Sequence, residues 1–214
     1  MTEAEQKIIN DFHELYHVGL SELGSIYKST TWMGVPCFKC PMDMWIYQEI
    51  LHEIEPDLIV ETGTYKGGSA LYLAHICDLI GKGKIVTIDI EDHQRPSHPR
   101  IEYIKGSSID IKLIDDLFLK YSGLKKVLVI LDSDHSEVHV TKELELFSPY
   151  VSIDSYLIVE DTNLNGHPTY ASHGPGPWEA VENFLPKHPN FILDKSKERL
   201  LMTFNPNGYI KKLR

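Results

Sequence analysis

Two short acidic clusters follow apolar runs in this chain. Asp132-Ser133-Asp134-His135-Ser136 comes after Val127 to Leu131, and Glu160-Asp161-Thr162-Asn163 comes after Tyr156 to Val159. Four carboxylates and an imidazole would then stand at the ends of two neighbouring strands. In an open parallel sheet those ends face the ligand crevice. Two carboxylates about 4 Å apart repel by roughly 4 kcal/mol at an effective dielectric near 20. A cation among them, or retained protons, removes that cost. An all-oxygen donor set suits a hard divalent ion, Mg2+, Ca2+ or Mn2+, better than zinc or copper.

A second set of residues points to a nucleotide. Leu58 to Val60 runs into Glu61-Thr62-Gly63-Thr64-Tyr65-Lys66-Gly67-Gly68-Ser69, a strand, glycine turn and helix start where Rossmann-like folds bind their ligand and where glycine lets backbone approach it closely. The spacing is not the dinucleotide G-x-G-x-x-G. Glu61 under the turn disfavours a pyrophosphate on the helix N-terminus but suits a ligand carrying an ammonium and a sulfonium. Asp89 ends the next strand, 26 residues past Gly63 (89 − 63), where an acid accepts hydrogen bonds from ribose hydroxyls. Together they favour S-adenosylmethionine over NAD. The candidate cofactor contacts are Glu61, Gly63, Thr64, Tyr65, Gly67, Ser69 and Asp89, with Ser107 and Ser108 in a turn suited to adenosine and Asp132 at the facing strand end.

The elements that must position these groups alternate along the chain. Glu3 to Leu23 carries Ile8, Ile9, Phe12, Leu15, Tyr16 and Leu20 at helical spacing, with Gly24 as a stop. Thr30 to Met44 has no clear period, and Met44 to Ile54 reads as a helix. Strands are expected at Leu58 to Val60, Lys84 to Ile88, Ile101 to Lys105, Lys126 to Leu131 and Ser155 to Val159, and helices at Gly67 to Ile80, Asp110 to Tyr121, Glu137 to Tyr150 and Trp178 to Leu185. Apolar segments at Phe191 to Leu193 and Leu200 to Phe204 close the pattern. Strands alternating with helices predict parallel crossovers and a three-layer α/β fold. We expect one domain over 1–214, a helical extension over 1–55 and a Rossmann-like core over 56–214.

Composition narrows the partners. A net charge of −10 with no run of Lys or Arg argues against nucleic acid or an anionic membrane as the main partner. No apolar run reaches the roughly 20 residues of a membrane span, and the acidic, polar start is unlike a signal peptide, so a cytoplasmic protein is expected. Three cysteines suit a reducing compartment, and Cys37-Phe38-Lys39-Cys40 lacks the second pair that a zinc site needs. The first helix and the aromatic segment after it offer surface for a homo-oligomer, which the sequence neither requires nor forbids.

Several blocks in order carry a resemblance over most of the chain. They are Trp32-Met33-Gly34-Val35-Pro36 with Lys39-Cys40-Pro41, the glycine loop from Glu61 to Ser69, Asp132 to Ser136, Glu160 to Pro168, and Thr203 to Tyr209. These are similar to the cephalosporin hydroxylase and rhamnosyl O-methyltransferase family of S-adenosylmethionine-dependent enzymes. The resemblance implies a class I methyltransferase fold, a mostly parallel seven-stranded sheet whose last strand is antiparallel, and a bound divalent ion, usually Mg2+. It places the metal ligands on Asp132, Glu160 and Asp161, with Asp132 preferred to Asp134. It does not imply hydroxylation, which needs a His, carboxylate, His triad for iron.

The chemistry implied is methyl transfer from S-adenosylmethionine to a hydroxyl of a small molecule or sugar, with His135 or Asp134 taking the proton. His139, four residues beyond His135, is expected to face solvent or core, since Glu137 is misplaced for an H-E-x-x-H site. Asn163 to Pro177 is long enough for a lid or for an ordered surface loop. Trp32, Trp45 and Trp178 would wall an acceptor pocket or pack plainly, and Thr30 to Met44 is expected to recognise the acceptor. Two other readings stay open: a NAD-dependent dehydrogenase or epimerase, and a nucleotide-binding protein without catalysis.

Overall fold

The computed structural model describes residues 1–19 and 24–213. A short hairpin, β1 (Thr31–Trp32) and β2 (Val35–Pro36), precedes seven strands of one sheet: β3 (Leu58–Thr62), β4 (Lys84–Asp89), β5 (Ile101–Lys105), β6 (Val127–Leu131), β7 (Tyr156–Val159), β8 (Phe191–Leu193) and β9 (Tyr209–Lys212). Their order is β5-β4-β3-β6-β7-β9-β8, with β9 antiparallel to both of its neighbours. The expected mostly parallel seven-stranded sheet with an antiparallel last strand is therefore the one observed.

The apolar runs are continuous because both faces of the sheet are covered. Every residue of β3 and β6 is buried. Alternate residues feed opposite layers. Leu58, Val60 and Val129 meet Leu117, Leu144 and Phe184, which lie on α4 (Ile111–Lys120), α5 (Glu137–Phe147) and α6 (Pro177–Phe184). Ile59, Leu128 and Ile130 meet Ile50 and Leu73, which lie on α2 (Pro41–Ile54) and α3 (Gly68–Ile80). The 1–55 segment thus shares the core through Ile46, Ile50, Leu51 and Ile54.

Element ends differ from expectation for local reasons. The first helix, α1 (Glu3–Val18), is capped by Thr2 and Glu5 and stops at Gly19, whose φ of 100° leaves the helical region. Leu20 to Leu23 lie outside the described residues. α2 starts at Pro41, three residues before Met44, because proline at the first helical position has no amide to lose. Leu200 to Phe204 is not a strand. Leu201 turns the chain at φ 74°, and the segment binds Asp43 instead, with Phe204 N donating to Oδ2 at 2.7 Å. Tyr209–Lys212, which has no marked periodicity, is the strand inserted there.

Parallel β3 has β4 on one side and β6 on the other, so chain order reverses between β3 and β6. Such a switch point opens the crevice where ligands bind. No helix among the described residues is long and apolar enough to cross a membrane.

Candidate active site

The two sequence clusters meet at that switch point. A cavity of about 690 Å³ extends from the turn after β3 to the ends of β4, β5 and β6. Of the expected cofactor contacts, Gly63, Thr64, Tyr65, Ser69, Asp89, Ser107, Ser108 and Asp132 line it. Glu61 and Gly67 lie behind the lining. Glu61 is fully buried, its Oε2 accepts from Thr87 at 2.7 Å, and its Oε1 has no hydrogen-bond partner. Burial raises its pKa against the pull of Lys39.

Two of the glycines also let backbones pack against each other. A Cβ on Gly63 would fall 1.7 Å from the carbonyl oxygen of Asp132, and one on Gly68 would fall 2.1 Å from that of Pro36. Glycine lets the loops after β3 and β6, and the hairpin, touch. Asp89 accepts from the amides of Tyr65 at 2.7 Å and Glu91 at 2.8 Å, which fixes the loop after β3 to the end of β4. Oδ2 also lies 3.4 Å from the Arg95 guanidinium, while Oδ1 keeps a lone pair for a hydroxyl donor.

At the other end of the cavity the acids converge. His135 Nε2 is 3.4 Å from Asp132 Oδ1 and 3.3 Å from Asp161 Oδ2, yet it is buried without a hydrogen bond to either. One donor atom from each of Asp132, His135 and Asp161 lies within 4.8 Å of the others. The carboxylate oxygens are the hard donors that suit a divalent ion, and the imidazole between them can hold a proton. Burial opposes a charge on His135, but Asp161, Asp132 and Glu160 outweigh it and push its pKa up to about 9. Burial and the neighbouring Asp132 hold Glu160 well above the usual carboxylate range.

Glu160 does not stand free beside Asp161. Its Oε1 accepts from Lys39 Nζ at 2.5 Å and from Tyr47 OH at 2.8 Å, and the same ammonium contacts Asp132. Asn205 ties this group to Asp161, donating to Tyr47 OH at 3.0 Å and accepting from Asp161 N at 3.1 Å. Lys39, Tyr47 and Asn205 were not expected at the site; only the block around Lys39 and the closing block around Asn205 marked their neighbourhoods.

The remaining expectations sort on contacts. Asp134 is exposed, and its Oδ1 accepts from Ser136 N at 2.8 Å, closing the loop before α5. His139 faces the cavity, in contrast to the expected solvent or core, with Nε2 at 3.0 Å from Ser108 and 3.2 Å from Ser133. Trp45 is exposed, Trp32 packs edge-on to Tyr72, and Trp178 stacks on His167. The aromatic lining comes from Tyr27, Phe38 and Tyr65, of which Phe38 lies in the aperiodic Thr30 to Met44 stretch. The Asn163 to Pro177 loop is pinned by Asn165 to Glu179 at 2.8 Å and by Asn163 to His13 at 2.9 Å, as an ordered surface loop would be.

Strand order, the antiparallel β9 and the position of the crevice define a class I methyltransferase fold. A CmcI structure with Mg and SAM has a TM-score of 0.66 at 17% identity, covering 94% of this chain and 84% of that one. A rhamnosyl O-methyltransferase of Mycobacterium tuberculosis is 38% identical over 211 residues, 95% of this chain and 84% of that protein. One from Mycobacterium leprae is 37% identical over 210 residues, 95% and 90% of the two chains. The family model described as rhamnosyl O-methyltransferase/CmcI matches residues 25–213, and the chain belongs to that family of O-methyltransferases.

Proposed function

We propose that this chain moves the methyl group of S-adenosylmethionine to a hydroxyl of a sugar or similar small acceptor, with a divalent cation, Mg2+ by preference, at the acidic end of the cavity. The observation that carries this reading is the convergence of Asp132, His135 and Asp161 in the same cavity as Asp89 and the glycine turn. Relatives named rhamnosyl O-methyltransferase and the CmcI structure with Mg and SAM support the donor, the ion and a sugar acceptor.

Methyl transfer displaces sulfur in line, so the chain must hold the acceptor oxygen, methyl carbon and sulfur collinear. Asp89 would receive the ribose hydroxyls, and Ser107 and Ser108 would border the adenine. Glu61, with one oxygen unsatisfied behind the turn, supplies negative potential for the donor's ammonium. Tyr27 and Phe38, which line the cavity, would exclude water from it. Asp132, Glu160 and Asp161 would hold the ion, which when bound lowers the acceptor hydroxyl's pKa and orients it. His135 takes the hydroxyl proton on Nε2; Asp134, turned back to Ser136, does not.

Calorimetric titration with S-adenosylhomocysteine, with and without Mg2+, followed by a screen of hydroxylated sugars, tests the reading. Binding of S-adenosylhomocysteine and methylation of a sugar hydroxyl are expected. Binding of NAD(H) with no S-adenosylhomocysteine heat would replace the proposal with the dehydrogenase or epimerase reading.

A further inference from the structure

The only ammonium among the described residues that touches the acidic cluster is that of Lys39, and it lies inside it. Lys39 is 5% exposed, and its Nζ contacts Asp132 Oδ2 and, at 2.5 Å, Glu160 Oε1. Both carboxylates belong to the set proposed above to hold the ion. Lys39 reaches them from the connection between β2 and α2, which is fixed on both sides of it. Cys37 N donates to Thr30 O at 3.0 Å, the Pro36 carbonyl rests against Gly68, and α2 begins at Pro41. The ammonium is therefore built into the site and is not a solvent-exposed side chain that happens to fold over it.

Charge counting gives it a role. Asp132, Glu160 and Asp161 carry three negative charges when ionised, and burying them together without a cation is costly. With the His135 imidazole neutral, Lys39 leaves two, the charge that one divalent ion neutralises. The same two oxygens that bind Lys39 are thereby withheld from an arriving ion, and its charge repels that ion at close range.

Resting on the metal reading above, we propose that Lys39 is the resident counter-ion of the cluster: it holds Asp132 and Glu160 together while no divalent ion is bound, and it sets the affinity for that ion by competing for the same carboxylates. Lys39 is thus a positioning residue, distinct from the proton acceptor His135.

Mn2+ alone, titrated by calorimetry and by electron paramagnetic resonance into metal-free wild-type, Lys39→Met, Lys39→Arg and Asp161→Ala proteins, tests this. Lys39→Met is expected to bind Mn2+ roughly tenfold tighter or more, to melt lower than wild type without metal, and to gain more in melting temperature on adding Mn2+. Lys39→Arg should bind as wild type does. Should Lys39→Met not fold without metal, Lys39→Gln carries the same comparison. Wild-type binding that Asp161→Ala abolishes, with Lys39→Met binding no tighter than wild type, overturns the role of Lys39 and leaves the metal reading standing. Mn2+ bound by neither wild type nor Lys39→Met overturns both.

Discussion

Gly63 and Asp132 are in backbone contact: a methyl group added to Gly63 would lie 1.7 Å from the Asp132 carbonyl oxygen, and Gly63 also holds φ at 79°. The turn that borders the cavity and the strand end that presents Asp132, the first of the proposed metal ligands, are therefore one rigid joint. Gly63→Ala should destabilise the protein by at least about 2 kcal/mol from strain and overpacking and weaken S-adenosylhomocysteine binding. Gly123→Ala, at a position with open space around it, is the neutral control in the same thermal melts.

Asp161→Ala should separate chemistry from cofactor binding. Asp161 faces His135, while Asp89 is held by the Tyr65 and Glu91 amides, so the proposed adenosine contacts should stay in place. Turnover is expected to fall by about two orders of magnitude or more, while calorimetry shows S-adenosylhomocysteine affinity within a few-fold of wild type. Unchanged turnover would remove the acidic cluster from the mechanism.

His135→Gln is expected to lower kcat by about 10² to 10⁴, with little change in cofactor affinity. In the metal-free protein the imidazole should titrate near 9, so it is protonated at neutral pH and cannot yet accept a proton. A divalent ion among Asp132, Glu160 and Asp161 counters the charges that hold the proton there, and the titration followed by NMR should move down when Mg2+ is added. An unmoved titration would place the ion elsewhere.

His13 ties α1 to the rest of the protein through Asn163 and a stacked contact with Phe204. Burial, then the neighbouring His17, depresses its pKa to about 4 from an ordinary 6.5. The unfolded chain takes up that proton first, so the stability is full above about 6.5 and is lost as pH falls towards 4, by at most about 3 kcal/mol. Asp43 works in the opposite sense, because burial raises its pKa to about 6. Comparing wild type with His13→Gln in denaturant melts at pH 7 and pH 4.5 cancels the Asp43 contribution. Wild type should lose more stability between the two than the variant does.

Much of this was legible because two-sided burial leaves uninterrupted apolar runs. Leu58, Ile59 and Val60, or Val127 to Leu131, announce central strands, and the acids that follow must then lie at the crevice. What was not legible depends on contacts across long separations. Lys39 sits in a segment without period and meets Asp132 across 93 residues, so no local pattern marks it as a partner. Tyr47 falls on the buried face of α2 and reads as core until its hydroxyl is seen on Glu160. The strand Tyr209–Lys212 ends in two lysines on its half-buried end and lacks the signature of its neighbours. His139 occupies a helix position whose direction only the packing of α5 decides. Gly63 and Gly68 were visible, but the backbones that pack against them were not.

The most direct test follows a labelled methyl group. With S-adenosylmethionine as donor and a panel of rhamnosides and other small hydroxylated sugars as acceptors, the account predicts transfer to an acceptor hydroxyl, its loss in EDTA and its return with excess Mg2+. Transfer that persists undiminished after exhaustive chelation, or no transfer to any acceptor by a protein that binds NAD(H), would contradict it.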